Sequence, residues 1–209
     1  MATEVISSSE SQGFSCSRFV LSTVEEVAVG FKVGQKVVYP NHGIGIIEEI
    51  CTREVCDGES SVFYHMRILS TNSRVMVPVN NVEEVGLRPP ISSKECARLL
   101  KALADDFVEP ASDWKDRYKT FLEKMQTGDI FEVAEVLKTL AYLNQIKPLS
   151  FREKRLFEKA RYLIVSEIAL VSRKPAEQID PKVENALRSA CQKHFARNGK
   201  ARAAAASTK

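Results

Sequence analysis

The groups in this chain that could do catalytic or metal chemistry are three histidines (His42, His65, His194), five cysteines, and the adjacent acid pairs Glu48-Glu49, Glu83-Glu84 and Asp105-Asp106. Catalysis needs a nucleophile, a base and an orienting group that converge, or a metal set at short regular spacing. The histidines are isolated, on a turn, a strand and the last helix. Neighbouring acids of this kind read as solvated surface charge. Gly43-x-Gly45 is too short for a dinucleotide fingerprint and leads into a strand where that motif requires a helix. Cys16, Cys51, Cys56, Cys96 and Cys191 are odd in number and scattered, and Cys51 and Cys56 are spaced neither as C-x-x-C nor near a histidine pair, so free and mostly buried thiols are expected. The expectation is a protein that is not an enzyme and carries no metal and no cofactor.

Binding chemistry is better represented. Trp114, the only tryptophan, falls in the first turn of a helical stretch, with Lys115, Arg117 and Lys119 around it. Tyr118, Phe121, Leu122 and Met125 follow it at i+4, i+7, i+8 and i+11, a stripe that taken alone makes Trp114 a core residue. Its position opens a second reading. A side chain at the mouth of a helix can overhang the core edge, beside the free N–H groups that attract phosphate. An exposed aromatic ringed by cations is built to wedge into a base step while its neighbours hold the phosphates. Arg152, Lys154, Arg155, Lys159 and Arg161 form a second basic cluster, in which Arg152, Arg155 and Lys159 share one helical face. Solvated surface and DNA contact are equally good accounts of this cluster alone; two clusters together favour DNA.

The elements that must carry these groups change character once along the chain. Residues 1–30, rich in Ser, Glu and Thr, read as a disordered arm. From Phe31 the pattern becomes short β-branched and aromatic runs, Phe31–Pro40, Ile44–Ile50, Ser61–Leu69 and Arg74–Val79, broken by turn signals at Asn41-His42-Gly43, Asp57-Gly58 and Thr71-Asn72-Ser73. Strands this short with links this tight make a small bent sheet or partial barrel. The last two runs form a hairpin, and Pro78 suits a free edge, since proline has no N–H to offer a ladder. Such an edge is either protected by its proline or used as a dock for a partner strand.

After Arg88-Pro89-Pro90 the period turns helical. Ser92–Asp105 is one helix; Asp113 caps the next, which stops at Gly128; Asp129 with Glu132 and Ser150 with Glu153 have capping-box spacing, the latter after a stop at Lys147-Pro148; Asp180-Pro181 opens the last. About five helices suffice to bundle around one core, with the apolar Tyr162–Val171 at its centre. The fold class is therefore α+β: a β-rich part at 31–90, an all-α bundle at 91–198, and a frayed tail at 199–209.

A hydrophobic share of 44% with 27% charged residues is ordinary for a soluble globular protein, and no compositional extreme forces a class. There is no apolar run that spans a bilayer and no secretory signal at the start, so no membrane role is expected and the chain reads as cytoplasmic. The formal charge of +3 conceals an excess of +6 over residues 172–209, so a polyanion is expected to meet the second half of the chain.

The strings FKVGQKVVYPNHGIGIIEEI at 31–50 and RVMVPVNNVEEVGLRP at 74–89 resemble the N-terminal domain of the CarD and CdnL family of bacterial transcription regulators. DWKDRYKTFLEKMQTGDIFEVAEVLKTL at 113–140 and LSFREKRLFEKARYLIVSEIAL at 149–170 resemble its helical domain, so the likeness runs in order over residues 31–171. The first half alone also resembles the polymerase-binding domain of transcription-repair coupling factors. The resemblance implies a Tudor-like N-terminal domain docking on the β subunit of RNA polymerase by strand pairing. It also implies a helical domain that contacts promoter DNA at the upstream edge of the melted region and stabilises the open complex. Trp114 matches the family tryptophan that enters the minor groove there, and Lys119, Lys154 and, more loosely, Arg117 match basic DNA-contacting positions. Arg53 and Met76 match positions of the polymerase contact, beside Pro78. Asp116 stands where some members are basic, and Met76 where some carry arginine. The arm 1–30 has no counterpart in the family, either as a lineage-specific extension or because the start lies downstream. The expected partners are thus RNA polymerase and promoter DNA, bound by a monomer; a rival reading is an adaptor that binds polymerase and leaves DNA alone.

Overall fold

A computed structural model describes residues 30–54, 60–108 and 113–206; the arm before residue 30 and the turn at Asp57-Gly58 lie outside them. The described residues from Phe31 onward form one compact unit. Four antiparallel strands, β1 (Lys36–Tyr39), β2 (Gly43–Glu54), β3 (Ser60–Ile68) and β4 (Arg74–Pro78), lie in sequence order. Alternation decides which face is inside: Tyr64, Met66 and Ile68 on β3 are buried while Phe63, His65 and Arg67 are partly exposed. Tyr64 also receives the Phe31 N–H on its hydroxyl at 3.2 Å, which closes the open end of this small core. A register shift between Ile47 and Glu49 bends β2 and sends its far end out with β3. The result is an open bent sheet of the Tudor-like kind. Its first edge is covered by a bridge in which Val38 and Arg88 exchange main-chain hydrogen bonds at 2.7 and 3.2 Å.

The helices are α1 (Val82–Val85), α2 (Ser93–Ala104), α3 (Trp114–Gln126), α4 (Ile130–Ile146), α5 (Phe151–Ser172) and α6 (Ala176–Ala206). The one-turn α1 is additional to the five that periodicity marks, being too short to show a period. α6 starts ahead of Asp180-Pro181, so Pro181 lies inside it. Asp180 is no cap: its carboxylate receives two bonds from Arg161 of α5, at 2.7 and 2.6 Å, and ties the two helices together. At the other end α6 continues to Ala206, into the stretch expected to fray.

Tyr162–Val171 is not the centre of the bundle. That place belongs to α4, where Val136, Leu137 and Leu140 are fully buried, whereas Tyr162 is 44% exposed. α5 is apolar on several sides because it has two partners, the helices on one side and the sheet on the other. Leu163 and Tyr162 close over Gly43, leaving just the space of a β-carbon at 3.4 Å.

Sheet and bundle meet at Arg88. Its Nε donates to the Gly128 carbonyl at 2.8 Å, and its two terminal nitrogens donate to both oxygens of Glu167 at 2.6 and 2.9 Å. Glu167 is 2% exposed and also accepts the Ile91 N–H at 3.0 Å. Gly128, which ends α3 in the left-handed region at φ 76°, lies so close to the Pro40 ring that a β-carbon there would stand 2.9 Å from it. Backbone conformation and contact both require glycine at that position.

Candidate nucleic-acid and strand-docking surfaces

Asp113 caps α3 by accepting the Lys115 N–H at 2.8 Å, which fixes the first turn and the side chain that leads it. Trp114 is 55% exposed. The apolar stripe that periodicity traces begins one turn later: Phe121 and Met125 are buried and Tyr118 half-buried, while Trp114 overhangs the bundle edge. The indole therefore stands at a helix mouth, with Lys115 and Lys119 exposed near it.

The second cluster stands on the first turns of α5. Ser150 caps this helix: its hydroxyl accepts the Glu153 N–H at 3.4 Å while Glu153 accepts the Ser150 N–H at 3.0 Å. Ser150→Ala is expected to cost about 1 kcal/mol, read as a lower urea midpoint at unchanged slope. Arg152, Lys154 and Arg155 are exposed, and the Arg155 guanidinium lies 5.8 Å from the centroid of the Phe151 ring. Burial and the charge of Arg155 both pull the Lys159 ammonium below its usual range.

Arg117 differs from its neighbours. Its side chain is 14% exposed and donates to Glu153 at 3.2 Å, joining α3 to the start of α5. Burial raises the Glu153 carboxyl, but the bonds from Ser150 and Arg117 outweigh it and hold the group below its ordinary value. The structure thus brings Trp114 and the basic start of α5 to one groove, lined by Trp114, Arg117, Ile146, Leu149, Phe151 and Arg152. Arg117 serves as the brace of that groove. Lys119 faces Glu123 one turn on at 3.9 Å, a pairing too exposed to hold it. Sequence reasoning passed over Phe151 and Ile146, 76% and 58% exposed, although two large apolar residues flanking a Lys-Pro helix stop were a signal.

On the sheet, β4 is the open edge. The Ile68 N–H donates to the Ser73 carbonyl at 2.9 Å, so the alternating antiparallel pattern gives the inward bonds to Val75 and Val77 and turns the main-chain groups of Arg74, Met76 and Pro78 outward. Met76 is 41% exposed, and Arg53, far along β2, is exposed as well. Arg67 and Arg74, opposed across β3 and β4, are reconciled by Glu48, whose oxygens lie 2.6 and 3.3 Å from them.

The groups first examined for catalysis lie apart. His194 is fully buried, stacked on Phe107 at 4.3 Å and bonded to Asp106 at 2.8 Å, with Arg197 bridging to Asp106 at 2.7 Å. Burial alone would raise Asp106, but His194, the Phe107 N–H and Arg197 hold its carboxyl below the usual range. Asp106 is thus part of a structural latch for α6, whereas Asp105, exposed beside Lys193, remains solvated charge. Cys96 and Cys191 are free and buried, with burial pushing both thiols up, and Cys51 is free and half-buried; Cys16 and Cys56 lie outside the described residues. Among the described residues no cluster of His, Cys, Asp or Glu is placed to hold a metal, and no helix is long and apolar enough to cross a membrane.

A bent sheet with one free edge is locked to a helical bundle that presents an aromatic among cations, a two-part architecture. Comparison with known proteins gives its family. Residues 31–91 match the model described as the CarD-like/TRCF RID domain, and residues 98–184 match that of the CarD C-terminal domain. The chain is 30% identical over 149 residues, 71% of its length and 97% of the relative's, to the Bacillus subtilis (strain 168) protein named "Putative transcription factor YdeB". The chain belongs to the CarD/CdnL family and is a transcription-associated factor.

Proposed function

We propose that this protein docks on the β subunit of RNA polymerase through the β4 edge and stabilises the open promoter complex by placing Trp114 at the upstream fork of the bubble. The observation that carries the reading is the exposed indole at the mouth of α3, on a bundle held rigidly to the sheet through Arg88 and Glu167. The Met76 N–H and carbonyl supply the main-chain rung that a partner strand takes up, with Arg53 and Pro78 on the same module. Lys115, Lys119, Arg152, Lys154 and Arg155 hold phosphates on either side of the indole, and none of them reads base edges.

The energetics favour a tethered binder. Prying open intact duplex costs about a few kcal/mol per step, so a partial wedge gains only where steps are already unstacked. Intrinsic DNA affinity is then weak, and anchoring to polymerase supplies an effective concentration on the order of millimolar. Specificity comes from position on the polymerase.

The test is a footprint of a promoter with polymerase, with and without the protein. Added protection at the upstream bubble edge is the expected result, and the stabilised complex should weaken with salt at a log–log slope of roughly −0.9 per phosphate contacted. Polymerase binding with no such protection and no change in slope would leave the adaptor reading, in which the cations are only solvated.

A further inference from the structure

Two aromatic side chains line one groove, and Trp114 is the first. The second is Phe151, the first residue of α5, which lines the same groove, is 76% exposed and has the Arg155 guanidinium over its ring. Among the described residues no ring contact joins Phe151 to Trp114, so the two exposed rings are not packed on each other. Leu143, Ile146 and Leu149 add apolar lining, and the volume of about 900 Å³ admits a planar ring system with its sugar.

The rim is cationic. Lys147 and Arg152 line it, and Arg155 sits over the Phe151 ring. The one carboxylate at the groove, Glu153, is committed to the Ser150 cap and to Arg117. An apolar groove that carries two exposed rings and is lined by cations is complementary to a flat neutral ring on an anionic backbone. Base–aromatic stacking works with any base, because each has a π-face.

We propose that this groove is a nucleobase slot: one unpaired base of the melted strand leaves the stack at the fork and lies between Trp114 and Phe151. This rests on the promoter reading above and extends it, since a wedge needs only Trp114 whereas a slot needs both rings. Phe151 holds the extruded base and Arg155 its phosphate, so the protein captures a product of melting in addition to blocking reclosure.

The experiment uses the full chain with its cognate polymerase holoenzyme on a promoter with a pre-melted bubble, whose upstream-edge nucleotides are made abasic one at a time. With the unaltered protein, removing one particular base should weaken binding on the order of tenfold. Phe151→Ala should bind the base-bearing promoter on the order of tenfold more weakly and the abasic one unchanged, so that the penalty for the missing base vanishes. Phe151→Tyr should restore it. A Phe151→Ala protein that keeps the full abasic penalty, or an unaltered protein that shows no penalty at any position while still binding, would overturn the slot and leave the wedge standing. No binding to the polymerase–promoter complex at all would overturn the promoter reading and the slot with it.

Discussion

Trp114→Ala is expected to lose the upstream footprint, and with it the effect on promoter opening, while unfolding at the temperature of the parent. Both halves of that result follow from where the side chain stands. The indole is 55% exposed and outside the buried stripe of α3, so its removal should change stability by no more than about 0.5 kcal/mol. The helix start survives, because the Asp113 cap bonds to main chain and not to the indole. Contact with the fork, by contrast, loses its stacking surface, about 1–3 kcal/mol, or roughly 5- to 150-fold in a weak complex. Trp114→Phe should fall between the two. The checks are a thermal melt and a footprint on the same preparation. A fully active Trp114→Ala protein would remove the wedge from the account.

The second large effect is expected at Arg88. Arg88→Ala strands the Glu167 carboxylate, 2% exposed, without its guanidinium, and breaking a buried pair in this way costs about 3–5 kcal/mol. For a chain of this size that is a drop of roughly 10 °C in the melting temperature. Arg88→Lys should recover little, because the site uses the two-pronged geometry of a guanidinium and also spends its Nε on Gly128. The double variant Arg88→Met with Glu167→Leu should recover much of the stability, since the buried pair costs its own desolvation. If Arg88→Ala melts like the parent, the pair is not what holds sheet to bundle.

Local structure was legible because local residues write it. Asp113, Ser150 with Glu153, Gly128 and Lys147-Pro148 mark real helix ends, and alternation marks the strands. Where a tertiary partner competed for a local device, the reading slipped. Glu132 has capping-box spacing from Asp129 but accepts the Thr127 hydroxyl instead, and Asp180 was claimed by Arg161. A capping box that went unmarked, Ser92 with Glu95, opens α2.

The candidate site was readable as a list and not as an arrangement. Periodicity ranks Trp114 with Phe121 and Met125, its place at the helix mouth allows it to overhang the core edge, and only the packing of the bundle decides between the two. Arg117 looks like its cationic neighbours until Glu153, thirty-six residues on, folds against it. Arg88 and Glu167 are seventy-nine residues apart. The one trace of their pairing was a lone acid within the apolar run Tyr162–Val171, which cannot sit there unpaired.

Pro78 limits how this molecule can meet copies of itself. Two antiparallel β4 edges meeting about Met76 would set each Arg74 carbonyl opposite a Pro78 that has no hydrogen to give. A homotypic ribbon therefore stalls after a single rung. The same edge stays available to a foreign strand that needs only that rung, so a proline near the end of one short strand separates recruitment from polymerisation.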